Sequence, residues 1–335
     1  MPIRRPKRAP VPSAWGVRPF RAGDRLVILA NVSTTQAESD APAAAWPART
    51  VAVAGETTVA VRRHPEHDPA LPPAVLVHGL GGSSLNWAHL AHELRGDLAA
   101  DLVDLPGFGF SPPPHDGDYS LSAHCRAVEG LLLSLNRGPV HLVGNSMGGA
   151  VATRVAARRP DLVRTLTLVS PALPDLRPQV TALPTALMAV PEQRTRVSVG
   201  LIFGSPDLLP DVEFAALAAE YRRRLGLPYM SDAFTRSARG VVAAYLERGP
   251  RNLWKQAAAV QAPTLLVYGR RDRLVNSAVA RRAQATFRDP RLVMVPDSGH
   301  VAMMEHPRVV ARAVRELLAE SGKPPITADT PETAG

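Results

Sequence analysis

Short, continuous runs of apolar residues recur along the chain and alternate with segments of helical periodicity. The runs cover residues 74–78, 99–103, 140–143, 164–170, 263–269 and 291–295. Each has the length of a strand and is followed by glycine, proline or polar residues, which is typical of strands buried on both faces of a sheet. Helical patterns at 87–94, 122–135 and 307–320 lie between or after them. The alternation predicts an α/β fold with a mostly parallel central sheet.

Two further segments depart from this alternation. Residues 50–54 and 57–62, joined at Gly55-Glu56, predict an N-terminal antiparallel hairpin. Between 171 and 255 the strand pattern stops, and helical patterns at 192–203, 210–225 and 231–247 predict an inserted helical cap. The predicted organisation is therefore a core of 49–170 and 256–320, a cap of 171–255, a basic and partly disordered extension of 1–48, and a disordered tail of 321–335.

The net charge of +9 is concentrated at the N-terminus. Six basic residues precede the first acidic one, and removing their charges leaves +3 for the rest of the chain; they are Arg4, Arg5, Lys7, Arg8, Arg18 and Arg21. This distribution argues against nucleic acid as a partner, because no basic patch with interleaved aromatic residues is present. The arm is expected to be a solvated tail, with weak contact to anionic lipid as the alternative. The apolar piece at 26–32 is too short and too late for an export signal.

The single cysteine and the apolar content bear on location. Cys125 has no partner for an internal disulfide, which suits a reducing compartment and leads us to expect a cytoplasmic protein. No run of 18 apolar residues occurs, so no transmembrane segment is expected. The oligomeric state stays open.

The most informative motif is Gly144-Asn-Ser-Met-Gly148, which lies between a predicted strand and a helical run. A serine on a sharp strand-to-helix turn is exposed at the edge of the sheet, and glycines two positions away on either side allow the chain to cross tightly. We therefore predict that Ser146 is a nucleophile.

A serine hydroxyl needs a base, and the base needs a carboxylate to orient it. His300 and Asp272 each follow a predicted strand, at the sheet edge where α/β proteins build their sites. Asp297, on the histidine loop, and Asp175, after an earlier strand, are minor alternatives for the acid. His306 is expected to be a helix-entry residue.

The glycine-rich segment His78-Gly-Leu-Gly-Gly82 predicts an oxyanion hole. Its expected donors are the backbone N–H groups of Leu80 and of Met147, which follows the nucleophile. His78 is expected to shape this loop through hydrogen bonds rather than to exchange protons with substrate.

Taken together and in this order, these motifs resemble those of α/β-hydrolase-fold enzymes, over roughly residues 50–320. The resemblance rests on His78-Gly79, the segment 104–111, Gly144–Gly148, Asp272 and Gly299-His300. Asn145 and the segment 299–307 resemble the meta-cleavage product hydrolases, which cut carbon–carbon bonds in ring-fission dienoates. That branch typically has tryptophan after the histidine and a HGxGPGA loop, whereas this chain has Val301 and Gly81-Gly82-Ser83. The elbow also resembles those of lipases and carboxylesterases. Epoxide hydrolases and haloalkane dehalogenases carry aspartate there, so Ser146 argues against both.

The sequence therefore predicts a serine hydrolase that cleaves a hydrophobic ester or related acyl bond through an acyl-enzyme. Neither cofactor nor metal is expected to take part. The cap is expected to provide an apolar pocket; its arginines, Arg194, Arg196 and Arg222 to Arg224, either bind a substrate carboxylate or form a solvated face, the latter being favoured. A carbon–carbon bond hydrolase and a ligand-binding signalling protein of the same fold are the alternatives.

Overall fold

The computed structural model describes residues 26–28, 46, 48–53, 57–174, 201–204, 219, 222–224, 226–275 and 277–321. The predicted cap helices at 192–203 and 210–225 lie mostly outside this range, as do Asp175, Arg194 and Arg196. The predicted tail lies outside it from residue 322 onward.

A nine-stranded sheet forms the centre of the molecule, in the order β1-β9-β8-β7-β6-β4-β5-β3-β2. The strands are β1 (Leu26–Ile28), β2 (Ala48–Ala52), β3 (Thr58–Arg62), β4 (Pro73–Val77), β5 (Ala99–Asp104), β6 (Val140–Asn145), β7 (Val163–Val169), β8 (Thr264–Gly269) and β9 (Arg291–Val295). β2 and β3 pair antiparallel, β3 pairs antiparallel with β5, and every other pairing among the described strands is parallel. The predicted mostly parallel sheet with an N-terminal antiparallel hairpin is confirmed.

Helices pack on both faces of this sheet. The helices of the described part of the chain are α1 (Ala88–Glu93), α2 (Leu121–Leu135), α3 (Met147–Arg158), α4 (Met230–Leu246), α5 (Leu253–Ala259), α6 (Ser277–Thr286), α7 (Ala302–Glu305) and α8 (Pro307–Ser321), of which α4 packs on α2. Within β4, Val75 and Val77 pack in the core that α2 and α3 cover, whereas Ala74 and Leu76 pack in the core under α1 and α8. Because both faces are buried, the strands are continuously apolar rather than alternating.

One part of the predicted N-terminal extension belongs to the sheet. Leu26–Ile28 forms the edge strand β1 and pairs in parallel with β9, with Leu26 opposite Leu292. β2 begins at Ala48, on the opposite edge of the sheet. The interpretation of residues 26–28 as outside the core is therefore wrong, because a strand this short depends on a pairing partner more than 260 positions away in the sequence.

The segment between β7 and β8, residues 170–263, is here called the insertion. Its described part includes α4 and α5, and α4 buries Met230, Ala233 and Phe234 against the rest of the molecule. Within the described residues, no helix is both long and apolar enough to cross a bilayer.

Candidate active site

The turn between β6 and α3 carries Ser146 in a strained conformation. Its backbone has φ of 51° and ψ of −119°, a region that non-glycine residues seldom adopt. A Cβ on Gly144 would lie 2.4 Å from the carbonyl oxygen of Gly148, and one on Gly148 would lie 2.2 Å from that of Val77. Both glycines are therefore required by the close crossing of strand and helix. The turn has the geometry expected of a nucleophile elbow.

The side chains of His300 and Asp272 meet at the ends of the neighbouring strands β9 and β8. The Nδ1 atom of His300 lies 3.0 Å from Oδ2 of Asp272, and the two side chains are 6% and 0% exposed. The other carboxylate oxygen accepts hydrogen bonds from the amides of Leu274, at 2.8 Å, and Val275, at 2.9 Å.

The electrostatics of this pair fix its proton arrangement. Burial alone would raise the pKa of Asp272, but the charge and hydrogen bond of His300 and the Val275 amide outweigh it and hold that pKa below its usual value. Asp272 is therefore an ionised acceptor, and the Nδ1–H of His300 donates to it. This tautomer leaves Nε2 with its lone pair available as a base.

The alternatives for the acid have different surroundings. Asp297 is 38% exposed and forms an ion pair with Arg271 at 2.8 Å, so its charge is balanced on the surface. Asp175 lies outside the described residues. His306 is half-buried at the junction of α7 and α8, and its carbonyl oxygen accepts from the amides of Val309 and Val310, which matches the predicted helix-entry role.

The residue before the nucleophile ties the elbow to the histidine loop. Nδ2 of Asn145 donates to the carbonyl oxygen of Val169 at 3.0 Å and to that of His300 at 3.1 Å. Both of its amide hydrogens are thus used, and Asn145 itself is buried. The backbone of His300 is consequently fixed relative to Ser146.

The glycine loop after β4 lies directly against the elbow. A Cβ on Gly79 would lie 3.0 Å from Cβ of Ser146. Among the described residues, no hydrogen bond is formed by the amide N–H groups of Leu80 and Met147, which remain the candidate oxyanion donors. They follow the adjacent strands β4 and β6, which flank the point where the strand order reverses.

His78 shapes this loop, as the sequence predicts. Its Nδ1–H donates to the carbonyl oxygen of Gly79 at 2.7 Å, and its Nε2 accepts from the amide of Leu105 at 3.0 Å. Burial lowers the pKa of His78 to about 4. A neutral ring with both nitrogens engaged is a structural brace rather than a proton carrier.

The insertion contacts the glycine loop at two points. The Phe234 ring of α4 lies 2.9 Å from the position that a Cβ on Gly81 would occupy. The Nη1 atom of Arg224 donates to the carbonyl oxygen of Gly81 at 2.9 Å, and Arg224 is only 4% exposed. The insertion therefore packs against the loop that carries one of the two candidate oxyanion donors.

The sequence model of the alpha/beta hydrolase fold family matches residues 72–307, more than half of the chain. The chain belongs to the α/β-hydrolase family. Its nine-stranded sheet, its elbow and the positions of Ser146, Asp272 and His300 after β6, β8 and β9 agree with this membership.

Relatives of this α/β hydrolase fall into two groups. Lipase 1 of Psychrobacter immobilis is 28% identical over 242 residues, 70% of this chain and 72% of the relative. The 2-hydroxymuconate semialdehyde hydrolase of Pseudomonas putida is 28% identical over 254 residues, 74% of this chain and 88% of the relative. A solved membrane phospholipase A, a bacterial virulence factor, shares the fold with a TM-score of 0.71 at 24% identity, over 82% of this chain and 86% of that one. These similarities support a hydrolase and leave the bond that it cleaves undecided.

Two features of this α/β hydrolase site were not assigned a role from the sequence. In the sequence, Asn145 and Glu305 were noted only as parts of motifs that resemble those of known families. Their hydrogen-bond partners lie between 6 and 155 positions away in the chain. The sequence signal that could have identified both residues is a polar side chain within a motif of otherwise small or apolar residues. Among the described residues, no group of three or more histidine, cysteine, aspartate or glutamate side chains has the arrangement of a metal site.

Proposed function

We propose that this chain is a serine hydrolase that cleaves a carboxylic ester or a related acyl bond of a hydrophobic substrate. The observation that carries the proposal is the buried pair of His300 and Asp272, hydrogen-bonded at 3.0 Å, which Asn145 links to the turn that holds Ser146 at a φ of 51°. Backbone strain and a buried carboxylate both cost free energy, and they are commonly retained where they serve catalysis.

In the proposed reaction Nε2 of His300 takes the proton of the Ser146 hydroxyl as its oxygen attacks the carbonyl carbon of the ester. The tetrahedral intermediate places its negative charge where the amides of Leu80 and Met147 can donate. The protonated His300 then gives its proton to the departing alcohol, which leaves an acyl group on Ser146. Water, activated by the same histidine, releases the acid and regenerates the hydroxyl. Asp272 stabilises the imidazolium in both halves of the cycle.

The insertion supports a hydrophobic substrate. α4 places Phe234 against Gly81 and Ala233 near Gly107, two loops that border the site. In this proposal the insertion acts as a cap, and an apolar acyl or alcohol group lies between it and Ser146.

The direct test is an assay with p-nitrophenyl esters from acetate to decanoate. Ser146→Ala should lower turnover by on the order of 10⁵–10⁶-fold while the protein stays folded. Ser134→Ala is the matched control, since Ser134 is an exposed serine on α2 whose hydroxyl bonds only to the carbonyl oxygen of Leu131. Ester hydrolysis that persists in Ser146→Ala would refute the proposal.

A second candidate is the hydrolysis of a carbon–carbon bond in a ring-fission dienoate, and Arg224 is the observation that favours it. A buried guanidinium next to the glycine loop suits the carboxylate of such a substrate. This activity would bleach the yellow dienoate, and Arg224→Gln would raise KM for the dienoate but not for a neutral ester.

Slow turnover with tight ligand binding would instead favour the third alternative, a ligand-binding signalling protein of the same fold. The cytoplasmic location stays a prediction.

A further inference from the structure

A half-buried carboxylate joins the histidine loop to the insertion. Glu305, the last residue of α7, accepts hydrogen bonds from the amide of Gly299 at 2.7 Å and from the hydroxyl of Ser298 at 3.0 Å through one oxygen. Its other oxygen accepts from the amide of Gly204, in the insertion, at 2.8 Å. One side chain thus bonds to two segments about 95 residues apart in the sequence.

The two segments are in direct backbone contact at this point. The amide of His300 donates to the carbonyl oxygen of Ile202 at 2.7 Å. A Cβ on Gly204 would lie 2.5 Å from the amide nitrogen of Gly299, and a Cβ on Gly299 would lie 2.4 Å from that of Gly204. Phe203, which lies between Ile202 and Gly204 in the sequence, is 3% exposed and packs in the same apolar cluster as Val301 and Met303. The contact leaves no room for a side chain on either glycine.

Three hydrogen bonds hold the half-buried carboxylate of Glu305 in place. Burial raises the pKa of Glu305, and the hydrogen bonds from Gly204, Gly299 and Ser298 oppose that rise. If the carboxylate is removed, the N–H and O–H groups that donate to it lose their acceptor, which costs free energy. The contact between the two segments therefore depends on the two carboxylate oxygens. No step of the proposed reaction uses Glu305 directly.

The backbone of His300 is therefore held from two sides. Asn145 binds its carbonyl oxygen from the elbow, and Ile202 accepts from its amide in the insertion. Glu305 fastens the residues just before His300 to the residues just after Ile202. A shift of the insertion by a fraction of an ångström would move this loop, and with it the imidazole.

We propose that Glu305 is a positioning residue that locks residues 202–204 of the insertion to the histidine loop and so keeps Nε2 of His300 aimed at Ser146. This inference rests on the proposed serine-hydrolase function. It makes the insertion part of the catalytic alignment as well as a cover for substrate.

The test compares Glu305→Gln with Glu316→Gln, a matched change on a glutamate of α8 whose side chain is 42% exposed and pairs with Arg291. Glutamine replaces one acceptor oxygen with a donor that faces a backbone N–H. Misplacement on this scale lowers rates by about 10–100-fold. We expect that loss in kcat and in the rate at which a fluorophosphonate labels Ser146, with KM changed by less than about threefold.

A spectroscopic measurement separates alignment from folding. The downfield proton signal of the His300 Nδ1–H, bonded to Asp272, should shift or broaden in Glu305→Gln and stay unchanged in Glu316→Gln. If Glu305→Gln does not fold, Gly204→Ala provides the second variant, because its methyl group pushes the insertion off the loop while Glu305 itself is unchanged. It should reproduce the loss of labelling rate.

The outcomes distinguish the two proposals. A wild-type protein that fluorophosphonate does not label refutes the serine hydrolase and this inference together. Wild-type labelling with an unchanged labelling rate and an unchanged proton signal in folded Glu305→Gln refutes the inference alone. A loss of labelling in Glu305→Gln that Glu316→Gln does not share supports it.

Discussion

Asp272 and Asp297 were both candidates for the acid that orients His300, and replacing each with asparagine compares the same change at two sites. The side chain of Asp272 is fully buried, and its carboxylate accepts from Nδ1 of His300 and from the amides of Leu274 and Val275. In Asp272→Asn, the oxygen that the two amides require stays in place, so the amide NH₂ faces the imidazole. Two donors cannot share this contact, and the ring must take the tautomer with its proton on Nε2. That nitrogen can then no longer accept the proton of Ser146.

The expected magnitude follows from this change of tautomer. Loss of the corresponding acceptor in a serine protease triad lowers kcat by about 10⁴-fold, which corresponds to about 5.4 kcal/mol of transition-state stabilisation. Asp297 is 38% exposed and pairs with Arg271, itself 52% exposed. A surface ion pair of this kind contributes about 0–1 kcal/mol to stability. We therefore expect Asp297→Asn to keep turnover within about twofold of wild type.

The assay measures kcat and KM of both variants on one p-nitrophenyl ester, with a thermal melt of each to confirm folding. The reasoning predicts a large loss of kcat for Asp272→Asn alone. It fails if Asp297→Asn loses more activity than Asp272→Asn, or if folded Asp272→Asn retains a kcat within about tenfold of wild type.

Three other predictions follow from buried groups. In Gly148→Ala the new methyl would lie 2.2 Å from the carbonyl oxygen of Val77, so we expect a loss of about 2–3 kcal/mol in a denaturant melt and no turnover; a wild-type melt would contradict this. Burial raises the pKa of the Cys125 thiol to about 12, so a thiol reagent should modify it only after denaturation, and rapid modification of the native protein would contradict its burial. Burial lowers the pKa of His78 to about 4 and that of His124 to about 3, whereas the unfolded chain binds both protons near pH 6.5. The free energy of unfolding should therefore fall as the pH drops below 6.5, by up to about 1.4 kcal/mol per pH unit for each histidine. His124→Gln should remove the contribution of His124 to this slope. Denaturant melts across pH 4–7 would measure both slopes.

The parallel core could be predicted from sequence because its strands are buried on both faces. The run 74–78, for example, contributes to two apolar clusters and is continuously apolar for that reason. The hairpin, α2 and α8 lie within about two residues of their predicted bounds. Strand β1 could not be assigned, because a three-residue strand has no periodicity of its own and depends on its pairing with β9. Helices α5 and α6 escaped prediction as well, because α5 has only seven residues and the apolar residues of α6 are mostly alanines.

In the candidate site, too, some residues could be predicted from local sequence and others depend on contacts between distant segments. Ser146, Asp272 and His300 each follow a strand, so local motifs together with the order of the sheet were enough to bring them to one edge. The sequence favours Asp272 over Asp297, and the structure adds the burial and the partner of each carboxylate, which the sequence does not display. The bonds of Glu305 connect segments whose proximity depends on how the insertion packs, and a single sequence carries no signal for that packing.

The most direct test of the central claim is to trap the acyl-enzyme. The protein would be mixed with a slowly deacylated p-nitrophenyl ester, quenched in acid and digested, and the peptides would be weighed by mass spectrometry beside those of Ser146→Ala. The account predicts a mass increase equal to the acyl group, on the peptide that contains Ser146 and absent from the variant. Turnover without an adduct, or an adduct on any other residue, would contradict it.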